Sequence, residues 1–192
     1  MSAIQPRAMS LSDFLDWEDK QPLRYEFDGF RPIAMTGGSA PHAAIQANLA
    51  VSIRGRLRGK PCQFYGSDLK IQTAGRIRYP DGFVVCTPLP VSTKIVHDPV
   101  VIFEVLSPST ASTDVVTKND EYRATPSVMR YVILAQDRIG GTMIERVGAD
   151  WISNVLDADS ILRMPEIGVE VAVAELYIDV SLAVESEESE KG

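Results

Sequence analysis

The sequence predicts a mixed α/β fold, a mixed central β-sheet flanked by helices. Three observations predict it. Val100 to Leu106 is an apolar run with one interruption, the pattern of a central strand covered on both faces. Segments with helical spacing of apolar residues stand on either side of it, at 41–58 and 111–124. Short runs rich in β-branched and aromatic residues, punctuated by Gly, Pro and Asp, fill most of the remainder. The order helix, sheet, helix, sheet then points to one mixed sheet between helical layers.

In chain order, Ser10 caps a short helix whose Leu11, Phe14 and Leu15 share a face. Residues 24–35 read as a hairpin turning at Asp28-Gly29. The 41–58 helix places Ala44, Ile45, Leu49, Ile53 and Leu57 on one side, and Gly59, Lys60 and Pro61 end it. Strands follow at 62–66, 68–73 and 77–86, with a turn at Ala74-Gly75, and residues 87–98 form a loop. After the central strand, Ser107-Pro108-Ser109-Thr110 opens the second long helix. Strands are expected at 129–135, 142–147 and 151–156, and a final short helix at 171–177.

A length of 192 residues is enough for one domain with a real core, taken as residues 1–184. No stretch reaches the roughly 18 unbroken apolar residues of a membrane helix, so no membrane partner is expected. Cys62 and Cys86 are too few for a disulfide framework or a zinc cluster. Both sit in apolar runs and read as reduced core thiols of a cytoplasmic protein. The net charge of −7 argues against a generic nucleic-acid coat. The acidic end, 185–192, reads as a solvated, disordered tail. Against this background Arg54, Arg56, Arg58, Lys60, Lys70, Arg76 and Arg78 face only one acid, Asp68, within residues 54–78. Such a segment can meet phosphates; it also fits a solvated helix end with a basic strand rim.

Polar residues in apolar settings carry the chemistry. Glu104 stands in Val-Val-Ile-Phe-Glu-Val-Leu, and a carboxylate buried there needs a cation, a proton or a metal. Asp81 repeats the pattern in Tyr79-Pro80-Asp81-Gly82-Phe83. Two acids at the ends of adjacent strands suit a hard divalent cation such as Mg²⁺; they also suit bonds to Arg76 or Arg78. On the second long helix, about 100° per residue puts Lys118 on the inward stripe with Val115 and Tyr122. Lys118 is either a partner of Asp114 one turn earlier or a lysine aimed at Glu104.

These residues fall in a familiar order. Tyr25-Glu26-Phe27-Asp28-Gly29, Pro41-His42, Tyr79-Pro80-Asp81, Phe103-Glu104-Val105-Leu106-Ser107-Pro108-Ser109-Thr110, then Asp114, Lys118, Tyr122 and Tyr131-Val132-Ile133 resemble the Uma family of restriction endonucleases. That family lies within the PD-(D/E)XK nuclease superfamily, and the resemblance spans roughly residues 10 to 178. It implies a restriction-endonuclease-like core and phosphodiester hydrolysis by a water activated by Mg²⁺ or Mn²⁺. It implies Asp81, Glu104 and the carbonyl of Val105 as metal ligands, with Glu26 as an upstream acid for a second metal or its water. The superfamily lysine usually follows the glutamate by two residues, where this chain has Leu106. The resemblance therefore gives that role to Lys118, with Lys70 in reserve.

Substrate contacts are expected from His42, Lys70, Arg76 and Arg78. The reading is a metal-dependent DNA endonuclease, acting as a homodimer because cutting both strands of a duplex needs two sites. A catalytically inactive nucleic-acid-binding or protein-interaction module with the same fold is the alternative.

Overall fold

The computed structural model describes residues 8–35, 37–106 and 113–182. Helix α1 spans Leu11–Glu18, and the hairpin strands are β1 (Tyr25–Phe27) and β2 (Pro32–Ala34). Helix α2 runs from Ala40 to Arg56. Strands β3 (Gln63–Gly66), β4 (Lys70–Thr73), β5 (Arg76–Arg78), β6 (Gly82–Val85), β7 (Ile95–Val96) and β8 (Val101–Leu106) follow. Helix α3 covers Thr113–Arg123. The chain continues as β9 (Arg130–Ala135), β10 (Gly141–Val147), β11 (Asp150–Leu156), β12 (Ile161–Met164) and β13 (Val169–Ala172).

A six-stranded sheet in the order β11-β10-β9-β8-β6-β3 forms the centre. It is mixed: β8 and β9 run parallel, and its other neighbours are antiparallel. One face packs Val101, Phe103 and Val105 of β8 under Ile45, Leu49 and Ile53 of α2. The other packs Phe83 and Ile102 with Tyr122 of α3. A second sheet, β2-β1-β5-β4-β7, lies beside it and carries α1 through Phe14, Phe27 and Ile77.

Ser39 caps α2 by accepting from the His42 N–H at 3.3 Å, as a serine at that position should. Gly82 has a packing reason: a Cβ there would stand 2.6 Å from Phe64 Cζ, so only glycine lets that ring lie on the strand.

Several expectations are corrected. The single strand at 77–86 is two strands in two sheets, β5 and β6. Pro80 offers no N–H to a ladder, and the chain crosses between sheets at 79–81. The loop at 87–98 contains β7, which adds to β4 in parallel. The helix at 171–177 is β13 followed by a 3₁₀ turn over Val173–Tyr177, because β12 supplies a partner strand. Cys62 and Cys86 are not free thiols: they form a disulfide. The register Gln63↔Val85 makes residues 62 and 86 the next cross-strand pair, which brings the two sulfurs together. The tail at 185–192 and the Ser107–Thr110 motif lie outside the described residues. No helix among the described residues is long and apolar enough to cross a membrane.

Candidate active site

The candidate site lies at the rim where β6 begins and β8 ends. The register Gly82↔Phe103 leaves Val105 beyond the first residue of β6. Its N–H therefore has no strand partner on that side and donates to Asp81 Oδ2 at 2.6 Å. In an extended strand a residue's N–H and C=O point the same way, so the Val105 carbonyl also faces Asp81. Gln46 Nε2 donates to Asp81 Oδ1 at 2.5 Å. His42 Nε2, one turn earlier on α2, is 3.3 Å from Asp81 Oδ2. That contact with Asp81 raises the imidazole pKa and outweighs the opposing effect of burial.

Glu104 alternates to the other face, under α3. Its Oε1 accepts from Lys118 Nζ at 3.0 Å and from Tyr122 Oη at 3.0 Å. The side chain is buried, and burial pushes its pKa up to about 7. Lys118 opposes that shift, while the charges of Asp81 and Glu26 add to it. Burial alone would lower Lys118, yet Glu104 and then Glu26 hold it above its usual value and keep it an ammonium. Tyr122 is raised by burial first and by Glu104 second, so it stays a donor.

Glu26 completes the group from β1. Its Oε1 is 3.8 Å from Lys118 Nζ and accepts from the Tyr79 N–H at 3.0 Å. Its Oε2 accepts from Arg78 at 3.0 Å.

The structure thus brings together Asp81, Glu104, Val105, Lys118, Glu26 and His42. The basic candidates are placed differently. Arg78 is buried and forks onto both oxygens of Glu121, at 2.8 and 2.6 Å. Arg76 Nε bonds to the Asp28 carbonyl at 2.9 Å and lies 3.2 Å from Glu121. Both cations brace β5 against α3. Lys70 is buried on the opposite face of the second sheet, where its Nζ meets Glu18 Oε2 at 2.5 Å. Tyr79 Oη donates to the other Glu18 oxygen at 2.7 Å. Lys70 is therefore turned away from Glu104, toward α1. The side chains of Asp114 and Val115 lie outside the described residues.

Gln46, Glu121 and Glu18 were not foreseen. Gln46 stands one turn beyond His42 on α2, which is the spacing that could have flagged it. Among the described residues no three His, Cys, Asp or Glu side chains are grouped to hold a metal. The donors at this rim are the buried carboxylate of Glu104, the partly buried carboxylate of Asp81 and the Val105 backbone carbonyl. All are hard oxygens, and no hydrogen bond engages Glu104 Oε2 among the described residues. That set fits a cation of the Mg²⁺ class, which takes few protein ligands.

A pH experiment isolates Glu104. A folded-state pKa above the unfolded value means the native state holds a proton that the unfolded chain releases. Its contribution is present below about pH 4.5 and is lost as pH rises to about 7. Without metal, the unfolding free energy of Glu104→Gln minus that of the native chain should therefore rise by up to ~3 kcal/mol across this window. Denaturant melts at several pH values measure it. A difference that is flat with pH would show that Glu104 does not titrate there.

Comparisons with known proteins bear on this geometry. The profile of the Uma2 family, described as "Putative restriction endonuclease", matches residues 11–174. An uncharacterized protein of Synechocystis sp., slr1290, is 31% identical over 173 residues, 88% of this chain and 91% of that protein. A crystal structure from Anabaena variabilis, titled "putative nuclease belonging to DUF820", superposes with a TM-score of 0.73 at 17% identity. It covers 88% of this chain and 98% of its own, and that likeness establishes the fold.

Proposed function

The chain belongs to the Uma2 family, described as "Putative restriction endonuclease", and from that premise we propose that it is a metal-dependent DNA endonuclease. The observation that supports this most is Glu104, a buried carboxylate held by Lys118 and Tyr122 at the sheet rim beside Asp81. A core released from catalysis has no need for such a charge, because burying it is costly and an apolar replacement is often neutral or stabilising.

Asp81, Glu104 and the carbonyl of Val105 would hold the cation. When bound, it acidifies a water and polarises the scissile phosphate. Gln46 and the Val105 N–H fix the Asp81 carboxylate, and Tyr122 fixes Glu104. Lys118 orients the attacking water and offsets negative charge as it gathers on the phosphate oxygens. Glu26 acts as the fixed counter-charge of Lys118, since Arg78 and the Tyr79 N–H already engage its own oxygens. His42, beside Asp81, presents an N–H near the backbone of the substrate.

Incubation of supercoiled plasmid with the protein tests the reading. Nicked and linear products should form with Mg²⁺ or Mn²⁺ and not with EDTA. A protein that binds Mn²⁺ yet leaves plasmid, linear duplex and single strands intact would favour the inactive module.

A further inference from the structure

Strand β11 closes one end of the central sheet, and among the described residues no strand pairs with its outer edge. The ladder shows which of its groups are unused. Arg146 N–H bonds to Met129 O, and Ala135 N–H bonds to Gly140 O, so the even-numbered residues of β10 are spent on β9. The odd ones, 141 to 147, bond to β11 through their partners 156, 154, 152 and 150. Trp151, Ser153 and Val155 therefore direct their N–H and C=O groups outward.

Proteins blunt such edges with lysine, proline, bulges or short strands. The other end of this sheet is blunted: β3 has four residues, and Gly66 is its last. Strand β11 has seven residues without a lysine, proline or glycine, and its single charge, Asp150, is at its start. Val155 is 85% exposed and Ile152 46%. Both are β-branched residues suited to a paired strand, and each would sit at no cost as a charge on an edge meant to stay free.

We propose that β11 is an association edge for a second copy of this chain, paired antiparallel about a two-fold axis at Ser153. The strand is complementary to itself in that register. Ser153 faces Ser153 of the partner, and Trp151 faces the partner's Val155, so all three outward-directed positions form hydrogen-bonded pairs. Six main-chain hydrogen bonds close the seam. Each exposed Val155 then covers a Trp151, an aromatic–β-branched pair of the kind that stabilises sheets. Arg146, 4.5 Å over the Trp151 ring, and Arg123, 5.9 Å from it, already hold that indole in place. Asp150 falls opposite the partner's Leu156, so no like charges meet across the seam.

One strand edge buries less than a permanent dimer needs, so association should depend on concentration. The axis stands perpendicular to the sheet and reverses strand direction. The C-terminal ends of the two β8 strands thus open at opposite rims. If those rims are the active sites, as read above, the dimer holds two separate nucleic-acid segments rather than both strands of one duplex at one place.

Sedimentation velocity over a wide concentration range tests the seam without reference to cleavage. The native chain should move from monomer to dimer as concentration rises. Ser153→Lys, which sets two ammonium groups opposite each other at the axis, should stay monomeric with an unchanged melting temperature. Ser153→Cys should cross-link under mild oxidation, because paired Cα atoms at about 5.5 Å suit a disulfide. Ile152→Cys, offset from its own copy by two residues, should cross-link about tenfold less, since its Cα atoms exceed the ~7 Å limit. The native Cys62–Cys86 bond leaves no free thiol among the described residues to compete. A native chain that is monomeric throughout, a dimer that survives Ser153→Lys, or equal cross-linking at 152 and 153 would each overturn the proposal.

Discussion

Lys118→Ala should cut plasmid ~10²–10³-fold more slowly than the native chain, the usual cost of removing one preorganised donor. The geometry sets the form of the loss. Lys118 Nζ is 3.0 Å from Glu104 Oε1 and 3.8 Å from Glu26. In the proposed mechanism its charge acts on the phosphate as the transition state forms, so turnover should fall more than substrate affinity. Lys118→Arg should recover little, because a planar guanidinium does not replace a point ammonium in a buried site. Removing one partner of a buried pair also destabilises, by ~3–5 kcal/mol. Cleavage is therefore compared well below the melting temperature of each variant. Lys70→Ala is the control: it leaves Glu18 buried with the Tyr79 hydroxyl but without a cation, so stability should drop by a similar amount. The rate per folded molecule should not. If Lys70→Ala instead abolishes cleavage and Lys118→Ala retains it, the roles assigned to the two lysines are reversed.

Asp81→Ala should weaken Mn²⁺ binding by more than about 100-fold, beyond what loss of a supporting group costs. Gln46→Ala, which frees one Asp81 oxygen, should cost ~10–100-fold. Affinity should also fall about tenfold per pH unit below about pH 7, because Glu104 must lose its proton to act as a ligand. Isothermal titration at several pH values reads all three effects. Equal Mn²⁺ binding by the native chain and Asp81→Ala would remove the metal site from this rim.

What the residues announced in advance was whatever has a period. Helix α2, strand β8 and helix α3 follow from apolar spacing, and the inward stripe of α3 placed Lys118 and Tyr122 over the sheet. Glu104 stood out because it broke an apolar run. Polar partnerships across long separations have no period and stayed hidden. Gln46 reaches Asp81 across 35 residues, Arg78 reaches Glu121 across 43, and Lys70 reaches Glu18 across 52. The basic stretch at 54–78 looked like a phosphate track because its acidic partners are remote in sequence; Arg56, too, is taken by Glu175. The crossing at Pro80 was hidden for a related reason, since both halves of 77–86 carry strand patterning and only the tertiary arrangement separates them.

Changes in chain length near the rim should obey a rule of parity. Glu104 meets Lys118 because it lies an odd number of residues from Phe103 and Val105, which enter the core under α2. One residue inserted between Val101 and Phe103 would swing the carboxylate into the Ile45–Leu49–Phe64 packing and expel an apolar side chain toward Lys118. Two inserted residues would restore the face but carry Glu104 about 7 Å along the strand, past Asp81. The segment at 87–94, ahead of β7, is mostly exposed and lies between β6 and β8 without fixing their register, so added residues there cost little more than loop entropy. Insertions and deletions among descendants of this sequence should therefore collect in that connector, while β6 and β8 keep their length to the residue.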